Sequence, residues 1–234
     1  FEAARNKAVD NILDMHYQDM FKKTYINVIK NSRDVNIQLT EALENAPYLD
    51  DLFASDDFSS ALKMVCRTIS ARESLGMQRQ IFFVDFNGWD HHDELLNTQA
   101  GMLSILDRGL QGLNQALERI GIWDCVSCFT CSEFGRTLTW NGNGTDHAWG
   151  GNVMVMGGPV NGGRIFGEYP LLELGSEYEL SGSGIILPTL SVDQYFAELA
   201  IWFGVSTSEL LDLFPNLGNF YSVNSGTKPI GFMQ

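Results

Sequence analysis

QIFFVDFNGWDHHDE, Gln80 to Glu94, is the stretch on which the fold turns. Ile81 to Val84 is a short apolar run, which predicts a buried strand of a parallel sheet, where both faces are covered. Asn87-Gly88 predicts the turn that ends it. In the segment that follows, Leu95, Met102, Leu106, Leu110, Leu113 and Leu117 recur at helical spacing, and Gly121 predicts the stop. CVSCFTC, from Cys125 to Cys131, reads as the next buried strand, and NVMVMGG, from Asn152 to Gly158, as a third. Strand, helix, strand at this spacing is a βαβ unit. The expected fold class is therefore α/β, with a mostly parallel central sheet sandwiched by helices.

Upstream, apolar positions from Val9 to Phe21 predict a helix over residues 1–32. The acidic segment from Ser32 to Phe58, broken by Pro47, reads as short helices and loop, and 59–75 as a second helix. Downstream, the glycine-rich chain from 163 to 184 reads as loops with a hairpin near Glu177 to Leu180. Ser191 and Gln194 have capping-box spacing at the start of a helix, and Pro215 stops a shorter one. The expected organisation is a single domain fragment over 1–234, helical over 1–75 and sheet-forming over 76–234. The chain opens without an initiator Met or a basic leader, which leads us to expect a piece of a longer protein.

Acidic residues outnumber basic ones 29 to 15, for a net charge of −14. That field repels a nucleic-acid backbone, which argues against DNA or RNA as a partner. No apolar run approaches the length of a membrane span. Cys125, Cys128 and Cys131 have C-x-x-C-x-x-C spacing, but alternation along a strand points them to opposite faces. They read as buried thiols rather than as ligands of one ion.

Ionisable residues gather at three strand ends. Asp90, His91 and His92 follow the first strand, Glu133 and Arg136 the second, and Asp146 and His147 precede the third. Three of the chain's four histidines lie in these loops. Asp, Glu and His form mixed nitrogen and oxygen sites for divalent ions such as zinc or manganese. Asp90, His92, Glu133, Asp146 and His147 are the candidate ligands. Arg136 and Asn87 are the candidates for binding an anionic substrate. Each has a plainer alternative: Asp90 as a helix N-cap, Glu133 as the ion-pair partner of Arg136, Asp146 as a turn residue.

GWDHH, SEFGRTLTWNGNGTDHAWGG, VMGGPVNGGRIFGEYP and LPTLSVDQYFAELAIWFGV…LFPNLGNF, in this order, resemble the signatures of a bacterial family numbered 1501 among domains of unknown function. The resemblance runs from Arg79 to Phe220. It implies an alkaline phosphatase-like fold, shared with sulfatases, phosphopentomutases and cofactor-independent phosphoglycerate mutases. It also implies export by the twin-arginine route to a periplasmic or extracellular location. A metal-dependent phosphate or sulfate ester hydrolase is the function it implies, with a small-molecule or polymer ester as substrate and the nucleophile upstream of this chain. Asp90 and His92 match the first metal loop, and His147 the last metal-binding histidine. Phe134 stands where that pattern has another such histidine; in a rival alignment Asp146-His147 is itself the Asp-His pair. The departure at Phe134 favours a second expectation, a catalytically degraded extracytoplasmic binding or structural protein.

Overall fold

The computed structural model describes residues 2–180 and 182–234. Phe1 of the expected first helix and Ser181 of the expected loop lie outside them. The chain divides into two compact units, residues 1–48 with 64–81, and residues 49–63 with 82–234.

The first unit is helical. In place of one helix over 1–32 there are α1 (Glu2–Leu13) and α2 (Met20–Glu44). Asp19 starts α2 by accepting the Lys22 backbone N–H. No glycine or proline interrupts the chain from there to Asn45, so the helix continues through the segment expected to break it. Residues 64–70 of α3 (Asp57–Ser70) belong to this unit and bury Cys66 and Ile69. Burial pushes the Cys66 thiol up to about 12.

The second unit is built on α4 (Leu95–Arg119), whose buried face carries Met102, Gly109, Gly112, Leu113, Ala116 and Leu117. The two glycines act by what they lack. A Cβ on Gly109 would lie 2.6 Å from the Phe58 ring, and one on Gly112 would lie 2.7 Å from the Leu52 carbonyl. Their absence lets residues 52–58 close onto the helix. Arg119 at the end of α4 grips both carboxylate oxygens of Asp51 at 2.7 and 2.8 Å.

The expected parallel sheet does not form, and with it goes the alkaline phosphatase-like sandwich. Among the described residues the strands make two two-stranded antiparallel sheets. β1 (Ser127–Phe129) pairs with β4 (Val155–Gly157), and β2 (Gly135–Trp140) pairs with β3 (Thr145–Ala148). Ile81 to Val84 joins no ladder, and Ile81 and Phe83 stay about four-fifths exposed. Without that strand no βαβ unit forms among the described residues. The connection from β1 to β4 runs through the β2–β3 hairpin instead of a crossover helix, which suits antiparallel pairing. β1 also spans fewer residues than CVSCFTC, so Cys125 and Cys131 are exposed rather than buried.

The core of this unit gathers round α5 (Val192–Phe203), which opens on the expected Ser191–Gln194 capping box. Tyr195 and Leu199 pack with Phe232 and Met233, while Ala197 packs with Leu210 of α6 (Leu210–Leu213) and with Leu217. Glu198 lies between, 1% exposed. Its carboxylate accepts the backbone N–H groups of Ile230, Gly231 and Met233 at 2.6–2.7 Å, clamping the C-terminal segment to the helix. No helix among the described residues is long and apolar enough to cross a membrane.

Candidate metal centre

Two pieces of backbone carry the site: the segment 85–94 and the β2–β3 hairpin. The segment is anchored by its aromatic residues. Phe86 stacks on Phe58 at 4.6 Å between ring centroids, Trp89 meets Phe86 edge-on, and the His91 ring lies 6.3 Å from that of Trp89. His91 is buried, which leaves its neighbours Asp90 and His92 facing solvent.

The hairpin clasps this segment through its turn, Asn141–Gly144. Asn141 Oδ1 accepts the N–H groups of Asn143 and Gly144, as an Asx turn does. Backbone bonds then tie Thr145 to the His91 carbonyl at 3.1 Å and Leu95 to the Asn143 carbonyl at 3.2 Å. Gly144 sits at the closest approach, where a Cβ would stand 2.2 Å from the His91 oxygen and 2.5 Å from the His92 carbonyl carbon. Both are backbone atoms with little room to yield. Gly144→Ala is expected to push the turn off the segment and destabilise the protein by about 1–3 kcal/mol. A lowered thermal midpoint, with no such change in Gly142→Ala beyond its own positive-φ strain, is the check.

The clasp brings three ligand atoms together. His147 Nε2 lies 2.9 Å from Asp90 Oδ1 and 3.1 Å from His92 Nε2, and His92 Nε2 lies 3.1 Å from Asp90 Oδ1. Around one ion with bonds of about 2.1 Å, neighbouring ligands stand roughly 3.0–3.4 Å apart. The donor set, two imidazoles and a carboxylate, is one that zinc, manganese and similar ions accept.

Asp146 stands behind the trio. Its Oδ1 lies 3.2 Å from His92 Nδ1 and accepts that ring proton in the tautomer whose Nε2 is bare. A carboxylate behind a histidine in this way fixes the tautomer and orientation of a metal ligand. Asn141 holds Asp146 in turn, with its amide 3.3 Å from the same oxygen and 3.1 Å from the His92 carbonyl. The role of Asn141 was not apparent from the sequence, where NGNG signals only a turn.

Arg136 lies opposite His147 in the β2–β3 register, so the two share a face. It donates to Asp90 Oδ1 at 2.8 Å, to Thr145 Oγ1 at 2.9 Å and to the Thr145 carbonyl. Those three bonds leave two of its five N–H donors. The hydrogen bond from His147, joined by that from Arg136, holds the Asp90 carboxyl below the usual aspartate range despite some opposing desolvation. A lowered carboxyl contributes stability above its unfolded-state value and loses it as pH falls through the folded value.

The other candidates sit differently. Glu133 is exposed and makes no hydrogen bond or ion pair with any described residue. It is not the partner of Arg136. Asn87 donates to Asp85 at 2.6 Å and is not among the three converging residues. Asp90 does not cap α4, whose N-cap is Glu94. No cluster of the cysteines able to hold an ion occurs among the described residues.

The chain belongs to a family described as a protein of unknown function (DUF1501), whose model matches residues 11–205. No curated protein and no solved structure matches it.

Proposed function

We propose that this protein holds a divalent ion, zinc or manganese, between Asp90, His92 and His147, and uses it in hydrolysing a phosphate or sulfate ester. The observation that carries the reading is the convergence of those three side chains, with Asp146 placed to bare the His92 nitrogen. The chemistry such an ion supplies is Lewis-acid polarisation of an ester oxygen. The chain's own part is to fix the ligands and receive the anion. Asp90 and the two imidazoles bind, Asp146 orients His92, and the two spare N–H groups of Arg136 receive an ester oxygen. The site is open, with about half of each of the Asp90, His92 and His147 side chains exposed, so a polymer as well as a small ester can approach. The four-motif resemblance supports an extracytoplasmic location.

One observation favours a second reading, a binding protein with no turnover. Glu133 stays outside the trio, so among the described residues the converging side chains suffice for a single ion. Assays of phosphate and sulfate monoesters, with zinc- or manganese-loaded protein, separate the two. Turnover that chelator removes, that metal restores and that Arg136→Ala lowers supports the hydrolase. No turnover of any ester by protein shown to carry metal contradicts it and leaves the binder.

A further inference from the structure

The His147 ring stacks on that of His92, with centroids 4.8 Å apart and planes inclined by 29°, and more closely on that of Phe134. The His147 and Phe134 rings are parallel within 5°, with centroids 3.9 Å apart. The register explains why. Arg136 is paired with His147 across the hairpin, and Phe134, two residues earlier, lies on the same side of the chain as Arg136. The Arg136 guanidinium in turn lies 5.6 Å from the Phe134 centroid. Phe134 is half-buried and is not among the residues packed with Tyr195 and Leu199 or with Ala197 and Leu210.

His147 needs such a support. Its side chain is 48% exposed, and it projects from a hairpin strand. The torsion that turns an imidazole ring about its Cβ–Cγ bond is broad, so a surface histidine samples many ring planes. Only those close to the observed plane keep Nε2 on Asp90. A parallel phenyl ring at 3.9 Å obstructs the others, because rotation drives an edge of the imidazole into it.

We infer that Phe134 is a positioning residue for His147: its ring holds the imidazole plane that directs Nε2 to the point shared with Asp90 and His92. The inference rests on the reading of that trio as a cation site.

Zinc titrations of the chelator-stripped protein, its Phe134→Leu variant and its Phe134→Tyr variant test this, with proton NMR of the His147 ring alongside. Leucine keeps apolar volume but has no ring, whereas tyrosine keeps the ring. Loss of an aromatic pair is expected to weaken zinc binding by about 3- to 10-fold in Phe134→Leu, with tyrosine restoring it. The His147 ring protons, shifted upfield by the stacked phenyl, are expected to move downfield in the leucine variant alone. Unchanged zinc affinity in Phe134→Leu, or His147 resonances that do not move, overturns the inference while leaving the cation site standing. A wild-type protein that takes up no zinc overturns the cation site itself, and the positioning of a ligand with it.

Discussion

His92→Ala is expected to weaken divalent-ion binding more than Asp146→Ala, and Asp146→Ala itself by about 10- to 100-fold. The first change removes one of three ligand atoms that stand 2.9–3.1 Å apart. The second leaves all three but frees the ring behind one of them. A neutral imidazole carries its proton on either nitrogen. With Asp146 present, the proton is drawn to Nδ1 and Nε2 is left bare for a cation. Without Asp146, the proton is free to occupy Nε2, where Asp90 Oδ1 and the His147 nitrogen both attract it. Asp146→Asn distinguishes charge from geometry, since the amide oxygen still accepts the Nδ1 proton. It is expected to fall between wild type and Asp146→Ala in a zinc titration. An Asp146→Ala protein that binds zinc as wild type does contradicts the tautomer argument.

Glu198→Ala is expected to destabilise the second unit strongly. The carboxylate of Glu198 is 1% exposed and accepts three backbone N–H groups, from Ile230, Gly231 and Met233. Alanine leaves those donors without acceptors and opens a gap in the core. Bonds to a charged group contribute more than neutral ones, and an unmet buried donor costs about 1–3 kcal/mol. A loss of about 3–5 kcal/mol follows, or a fall in Tm on the order of 10 °C. Phe232 and Met233 pack on Tyr195 and Leu199, so release of the segment exposes apolar surface as well. Glu198→Gln keeps the shape but turns an N–H₂ group toward backbone donors, and is expected to lose less than alanine. A Tm for Glu198→Ala within about 2 °C of wild type contradicts the clamp.

What could be read in the sequence was what is local. The Ser191–Gln194 cap closes over three residues, and the apolar stripe of α4 is set by its own periodicity, so both follow from the chain alone. The reading of Ile81 to Val84 fails because a four-residue apolar run becomes a strand only where a distant partner supplies a ladder. β3 does not read as a strand because Thr145–Ala148 is polar, although Asn-Gly pairs between Trp140 and Thr145 are a hairpin signal. The two histidines of the trio stand out because histidines are scarce in this chain and gather in one region. Glu133 was not separable from them, because residue type does not show which way a loop carboxylate points. Asn141 and Phe134 act through the particular backbone and ring they touch, and nothing in their own spacing announces that.

One ion held by Asp90, His92 and His147 is what the proposed function requires. Elemental mass spectrometry of protein purified without chelator, beside its His147→Ala variant, tests it most directly. About one zinc or manganese per chain is expected in the wild type, and its loss in the variant. Equal metal content in the two proteins, or none in either, contradicts it.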